Sequence, residues 1–137
     1  MRLECRDVAV LDASPTPLVV ANPPFFKSDA GPGSPNLWKR AARTEVEGGL
    51  MAFVAAASRT IFPCAGRACF VLPLQRLNDA LNCAETCGLK VWRTVQVGNK
   101  RVMIEWGTVP RTPVNEKVAE SDFRAQKWYA LACASTR

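Results

Sequence analysis

The sequence predicts an α/β chain in which strands and amphipathic helices are followed by a terminal antiparallel hairpin. Three observations carry this. Leu18-Val19-Val20-Ala21 is a short apolar run cut off by Asn22-Pro23-Pro24, which is the form of a strand buried in a parallel sheet. Two prolines then forbid both ladder pairing and helix, so the chain leaves in a stiff, extended loop. Further on, two apolar stripes at helical spacing run from Leu50 to Ile61 and from Leu74 to Ala84. Beyond Gly88 the period drops to two, and it stays there to Val109.

Taken in order, residues 2–8 alternate apolar and polar and are predicted as a strand. Ser14-Pro15-Thr16-Pro17 is a turn that delivers the chain into the 18–21 strand. From Phe26 to Pro35 the composition turns to Lys, Ser, Asp, Gly, Pro and Asn, a loop of about ten residues, long enough to be a functional flap. Asn36 to Arg43 is polar and basic. A helix follows to about Thr60, with Leu50, Phe53, Val54, Ala57 and Ile61 on one stripe and Gly48-Gly49 marking its start or a break. Pro63-Cys64-Ala65-Gly66 ends it, and Arg67 to Pro73 reads as a second buried strand.

Leu74, Leu77, Leu81 and Ala84 define a second amphipathic helix with Gly88 as its C-terminal cap. Leu89, Val91, Arg93, Val95 and Val97 then alternate with Lys90, Trp92, Thr94 and Gln96. Gly98-Asn99-Lys100 is a turn, and Val102, Ile104 and Trp106 share a face of the returning strand, so the pair is a hairpin. Pro110 to Pro113 breaks the pattern, and a short helix is expected near Ser121 to Cys133.

The chain has 137 residues with 48% apolar content, enough for one domain with one core. No apolar run approaches a membrane span and no signal peptide is visible, so a cytoplasmic location is expected, with no membrane partner. The formal charge is 18 − 12 = +6 and the pI about 9.3, a balance that favours an acidic partner, nucleic acid being the commonest. Lys39, Arg40 and Arg43 form one basic cluster, and Lys90, Arg93, Lys100 and Arg101 another. The six cysteines form no Cys-x-x-Cys pair and histidine is absent. Zinc spacings therefore fail and no metal site is predicted; free thiols in a reducing compartment are expected instead. Without histidine there is no His-based general base or activated nucleophile.

Asn22-Pro23-Pro24-Phe25 after a hydrophobic strand resembles motif IV of the S-adenosylmethionine-dependent methyltransferases that modify adenine N6 and similar nitrogens. The longer run Asn22 to Pro35, followed by Arg40-Ala41-Ala42-Arg43-Thr44-Glu45, is similar to the bacterial adenine-N6 methyltransferases acting on valine tRNA. Those carry Asn-Pro-Pro-Tyr-Phe, a Gly/Ser-Pro loop and Arg-x-x-Ala-Arg-His-Glu. The similarity runs from the start of the chain to Val109, so residues 1–109 are expected as the C-terminal part of a methyltransferase domain and 110–137 as an extension.

The resemblance implies a partial Rossmann-like sheet, its later strands followed by an antiparallel hairpin. It also implies S-adenosylmethionine as cofactor and RNA, tRNA in particular, as partner. The Asn22 side-chain oxygen and the Pro23 carbonyl would accept hydrogen bonds from the target amino group. They would thereby favour the developing tetrahedral nitrogen over the planar ground state. Phe25 would stack on the base, with Phe in place of the more usual Tyr. Asp7 matches an acidic residue that contacts the cofactor adenine, and Asn22 also faces the cofactor. Arg40, Arg43 and Glu45 match substrate-side positions, with Thr44 where the family has His.

The family's opening strand and Gly-x-Gly turn have no counterpart; Gly31-Pro32-Gly33 lies in the flap. At least two strand–helix units, roughly 60 residues, are missing, and the 18–21 strand is expected at an exposed sheet edge. Two readings stay open. One is a methyltransferase whose other half is lost by truncation, encoded by a split gene or supplied by a second polypeptide. The other is a catalytically inactive, nucleic-acid-binding or partner-completing subunit.

Overall fold

The computed structural model describes residues 7–11, 14–24, 26–27, 44–45 and 49–124. Its centre is a five-stranded mixed sheet. The strands of the chain are β1 (Leu18–Ala21), β2 (Phe26–Lys27), β3 (Thr44–Glu45), β4 (Arg67–Pro73), β5 (Lys90–Val97), β6 (Arg101–Gly107) and β7 (Val114–Val118). The large sheet has the spatial order β1-β4-β6-β5-β7, while β2 and β3 form a separate parallel ladder. β1 runs parallel to β4, β6 is antiparallel to both β4 and β5, and β7 is parallel to β5. The hairpin's return strand is thus inserted between β4 and β5, so that β5 points the same way as β1 and β4.

One face of this sheet makes the core. Ala68, Phe70 and Leu72 of β4 lie opposite Trp106, Ile104 and Val102 of β6, and all six are buried. Helices α1 (Gly49–Thr60) and α2 (Leu77–Thr86) pack on each other. Leu50, Val54, Ala57, Ile61, Ala80, Ala84 and Leu89 join the six strand residues in one cluster. The expected stripe on α1 is therefore the buried one, and the helix begins at Gly49, where φ is +49°.

The end of α2 shows why Gly88 stands where it does. Leu89 N–H donates to the Ala84 carbonyl at 2.8 Å and Gly88 N–H to the Glu85 carbonyl at 3.0 Å, the paired bonds of a Schellman cap. Such a cap needs a left-handed residue at this point, and Gly88 has φ +73°. Leu89 and Ala84 meet in the core beneath it.

Four expectations need correction. The 2–8 strand lies partly outside the described residues, and its end is not a strand: Val8–Val10 is a 3-10 turn capped by Asp7. β1 is not buried on both sides; Leu18 is 48% and Val20 70% exposed while Val19 and Ala21 pack against the core. As the edge neighbour of β4, it has a helix over only one face. Alternation along β5 is interrupted by a bulge between Val91 and Arg93. Trp92 is the extra residue, so Val91 faces the same way as Trp106 while Arg93, Val95 and Val97 face the opposite way. Finally, β7 was not expected. Its sequence Val-Asn-Glu-Lys-Val has no clear period, which suits a polar edge strand, and Arg93 clamps it through Nε to Glu116 Oε1 (3.1 Å) and Nη2 to Oε2 (2.8 Å). The expected C-terminal helix begins as α3 (Glu120–Arg124), and the rest of it lies outside the described residues.

The bulge is held by an unusual close approach. The Trp92 indole N–H donates to the Val109 carbonyl at 2.7 Å, and the Arg111 guanidinium sits 3.5 Å from the ring centroid. The ring's remaining side covers Gly107, where a Cβ would lie 2.0 Å from Trp92 Cζ2 and 2.4 Å from Cε2. Both the position of the ring and the absence of a side chain at 107 are needed for β5 and β6 to stay in register. Gly107→Ala is expected to cost about 3 kcal/mol in urea unfolding, the upper end for overpacking. The double variant Gly107→Ala/Trp92→Val should recover part of that loss, since the two residues are in direct contact.

Candidate functional site

Asn22 is the first residue past the carboxyl end of β1, whose last residue, Ala21, pairs with Phe70. It is exposed, Pro23 behind it is fully buried and Pro24 is half-buried. Each feature follows from the sequence. Pro23 has no N–H to leave unsatisfied, so it can be buried at a strand end at little cost. Two consecutive prolines fix φ and hold the backbone extended, so the Asn22 side chain and the Pro23 carbonyl sit on a rigid segment. The carboxyl ends of parallel strands are where open α/β sheets bind ligands.

The chain beyond the prolines returns to this segment. Phe26 pairs with Thr44 and Lys27 with Glu45 in the β2–β3 ladder. That brings the backbone of Glu45 alongside a residue five positions after Asn22. Phe25, Arg40 and Arg43 lie outside the described residues.

Asp7 is placed elsewhere. Its carboxylate accepts the Ala9 N–H at 2.9 Å, capping the 3-10 turn, and the Ala9 carbonyl accepts from Arg59 Nη2 at 3.2 Å. Arg59 is in the last turn of α1. Just after that helix, Thr16 forms a bridge with Ile61, with Thr16 N–H donating to the Thr60 carbonyl (2.8 Å) and Phe62 N–H to the Thr16 carbonyl (2.9 Å). Asp7 is thus tied to the helix end beside the start of β1, while Asn22 lies past that strand's other end. From Thr16 to Asn22 an extended chain covers about 20 Å.

The basic cluster spanning Lys90, Arg93, Lys100 and Arg101 divides in the same way. Lys90 pairs with Gly107 at the amino end of β5, and Arg93 is engaged by Glu116. Lys100 and Arg101 are exposed and stand at the opposite end, where Arg101 pairs with Pro73 and the Lys100 carbonyl accepts the Leu74 N–H at 2.8 Å. Because β4 and β1 are parallel, that is the end at which Asn22 emerges. The local signal for these two residues was the Gly98-Asn99-Lys100 turn, but which end of the sheet the turn occupied depended on the strand order.

Among the described residues no group of three or more His, Cys, Asp or Glu side chains is placed to hold a metal ion, and no helix is long and apolar enough to cross a membrane. Among the described cysteines, Cys64 is exposed and Cys69, Cys83 and Cys87 are half-buried. Cys69 lies in β4 directly opposite Glu105, which Arg67 Nη1 engages at 3.3 Å. Burial first, then the Glu105 carboxylate, push the Cys69 thiol up to about 11, against a pull in the other direction from Arg67.

No family model matches this chain, and no curated protein matches it. Among solved structures, a TehB-like SAM-dependent methyltransferase from Corynebacterium glutamicum is similar over 74% of this chain and 53% of its own, with 17% identity and a TM-score of 0.49. The chain therefore spans about half the length of that structure.

The raised Cys69 thiol gives a pH prediction. Unfolded, the thiol ionises near 9.0; folded, it keeps its proton to about 11. The folded state then binds more protons than the unfolded one across that window, so stability falls as pH rises from about 9 to about 11. Cys69→Ala should flatten this slope relative to the unchanged chain in unfolding curves taken at pH 8, 9, 10 and 11.

Proposed function

We propose that the chain is the substrate side of an S-adenosylmethionine-dependent methyltransferase that acts on adenine N6 in RNA, with tRNA the expected substrate. The observation that carries this reading is the placement of Asn22-Pro23-Pro24 past the carboxyl end of β1, with Pro23 buried and Asn22 exposed. An amino nitrogen conjugated to an aromatic ring is a poor nucleophile, because its lone pair is delocalised. Two fixed acceptors, the Asn22 side-chain oxygen and the Pro23 carbonyl, would draw its hydrogens out of the ring plane and stabilise the tetrahedral nitrogen as it forms. Their rigidity matters, since acceptors already in place need no reorganisation during the reaction.

Phe25 is assigned the stacking role against the base, and Arg40, Arg43 and Glu45 are assigned substrate contacts. Lys100 and Arg101, at the same end of the sheet, suit a phosphate backbone passing that edge. S-adenosylmethionine would supply an electrophilic methyl group; no Gly-x-Gly turn that would cradle it follows a strand in this sequence. The proposal therefore includes a further segment that carries that turn. Asp7, assigned to the cofactor by the resemblance, caps the 3-10 turn tied to the end of α1.

Supplied with such an N-terminal half, the chain should transfer methyl groups from labelled cofactor to tRNA, and Asn22→Ala should lower the rate by at least roughly 100-fold, the scale of losing one positioned transition-state group. Unchanged transfer by that variant would remove Asn22 from the chemistry.

A second reading, RNA binding without catalysis, rests on the exposed pair Lys100 and Arg101. It predicts tRNA affinity that falls linearly on a log–log plot against salt, with a shallower slope for Lys100→Ala/Arg101→Ala. Gel-shift titrations at several salt concentrations measure this, and affinity indifferent to salt would count against it.

A further inference from the structure

The carboxyl end of the sheet brings Asn22 and Arg101 onto the same face. Along β1, Val19 and Ala21 pack against the core while Val20 is exposed. Beyond the strand Asn22 is exposed and Pro23 fully buried, so Asn22 continues the row of Val20, on the face away from α1 and α2. On β6 the row under the helices is Val102, Ile104 and Trp106, which puts Arg101 on the opposite face as well. β4 runs between β1 and β6. Its residues on that face nearest this end are Val71 and Pro73, both half-buried.

The ladders fix how far apart the two residues stand. Ala21 pairs with Phe70 and Arg101 with Pro73. Strands lie about 4.8 Å apart and rise about 3.3 Å per residue, so Arg101 is about 10 Å to the side of Asn22 and about 7 Å further along, about 12 Å in all. Lys100 adjoins it, its carbonyl accepting the Leu74 N–H at 2.8 Å. Both side chains are exposed. Arg67, Arg76 and Arg93, by contrast, are each in an ion pair, with Glu105, Asp79 and Glu116. Glu120 stands against Gly98, on the β5 side of the turn rather than towards β4.

We infer that Lys100 and Arg101 take the phosphate adjoining the target nucleotide, the substrate strand crossing β4 on the face opposite the helices. The inference rests on the proposed placement of the target amino group at Asn22. With the base held there, its own nucleotide reaches across β4, and the long Lys and Arg side chains close the remaining distance to the phosphate. Val71 and Pro73 give the sugar between them an uncharged floor. Arg101 offers a forked set of donors and Lys100 a point charge, the two forms in which proteins hold phosphate. The strand is unpaired at this point, because adenine N6 otherwise points into an A-form groove too deep and narrow for side chains to enter.

The test uses the whole chain and a short fluorescent single-stranded RNA with one adenine. Each phosphate in turn is replaced by a neutral methylphosphonate, and affinity is read by fluorescence anisotropy at fixed salt. Neutralising a phosphate adjoining the adenine is expected to weaken binding roughly 10-fold, the scale of one charge-assisted contact, and more distant replacements less. In Lys100→Ala/Arg101→Ala the same replacement should have no further effect, because that phosphate has already lost its partners. Lys117→Ala is the control. Lys117 is exposed on β7, at the opposite edge of the described sheet from β1, and its loss should leave the penalty in place. A flat scan, a penalty that survives in the double variant, or failure of the unchanged chain to bind the RNA would overturn the inference. The placement at Asn22 has its own readout. Affinity unmoved by Asn22→Ala and by uracil in place of the adenine would remove the base from Asn22 and the phosphate assignment with it. A flat scan beside a weakened Asn22→Ala variant would remove the phosphate assignment alone.

Discussion

The register of β4 is the constraint on which the rest of the structure depends. This strand has a parallel neighbour, β1, on one side and an antiparallel one, β6, on the other, and it carries the core-facing residues nearest the site. Its alternation places Ala68, Phe70 and Leu72 under the two helices, and a slip of one residue would turn all three away from them. The Phe70 and Trp106 rings meet edge to face, 4.9 Å between centroids at 69°, a pairing worth about 1 kcal/mol beyond the area it buries. Trp106 is fully buried, and among the described residues its indole N–H meets no acceptor. Leaving such a donor unpaired costs on the order of 1–3 kcal/mol, so the ring is kept for its shape and contacts at some expense in polarity. Because β1 takes its height from β4, the same register also decides where Asn22 emerges.

What could be read in the sequence was what its periodicity encodes locally. The stripe Leu50, Val54, Ala57 and Ile61, the strand Arg67–Pro73 and the Gly88 cap all involve residues whose spacing or conformational need is visible within a dozen positions. The bulge at Trp92 was not legible, because inserting one residue changes the phase without changing the composition; only the partner strand reveals that Val91 and Arg93 oppose consecutive residues of β6. β7 was hidden for a related reason. An edge strand of Val-Asn-Glu-Lys-Val is held by the ladder to β5 and the Arg93–Glu116 pair, interactions formed with residues some twenty positions away. For β1 the apolar run correctly marked a strand, but the four apolar residues overstated its burial: an edge position leaves Leu18 and Val20 in solvent.

The candidate site was legible to a similar, limited depth. Asn22-Pro23-Pro24 carries its own geometry, since proline fixes the backbone wherever it stands, and its position at a strand end was evident from the run before it. The side of the molecule occupied by each charged group was not. The predicted hairpin already set Lys90 and Lys100 at its opposite ends, but that the Lys100 end is the one at which Asn22 emerges follows only from the order and directions of β1, β4 and β6. Asp7 likewise is drawn to the Arg59 end of α1 by bonds that run through Ala9.

An edge position also shapes what Asn22 and Pro23 can do alone. Ligand crevices in open α/β sheets lie between neighbouring strands whose connections diverge, so that a bound group is walled from both sides. Past the end of β1, the described sheet supplies a neighbour on one side only, β4 and the segment leading from it to α2. The two acceptors are thus rigid but half-walled, and transition-state stabilisation by hydrogen bonds is strong only where water is kept away. For the proposed methyl transfer, covering the open side of β1 would serve two ends at once. It would pair the edge that Leu18 to Ala21 presents in the described sheet, and it would bring the excluded water and second wall that turn two fixed acceptors into a catalytic site.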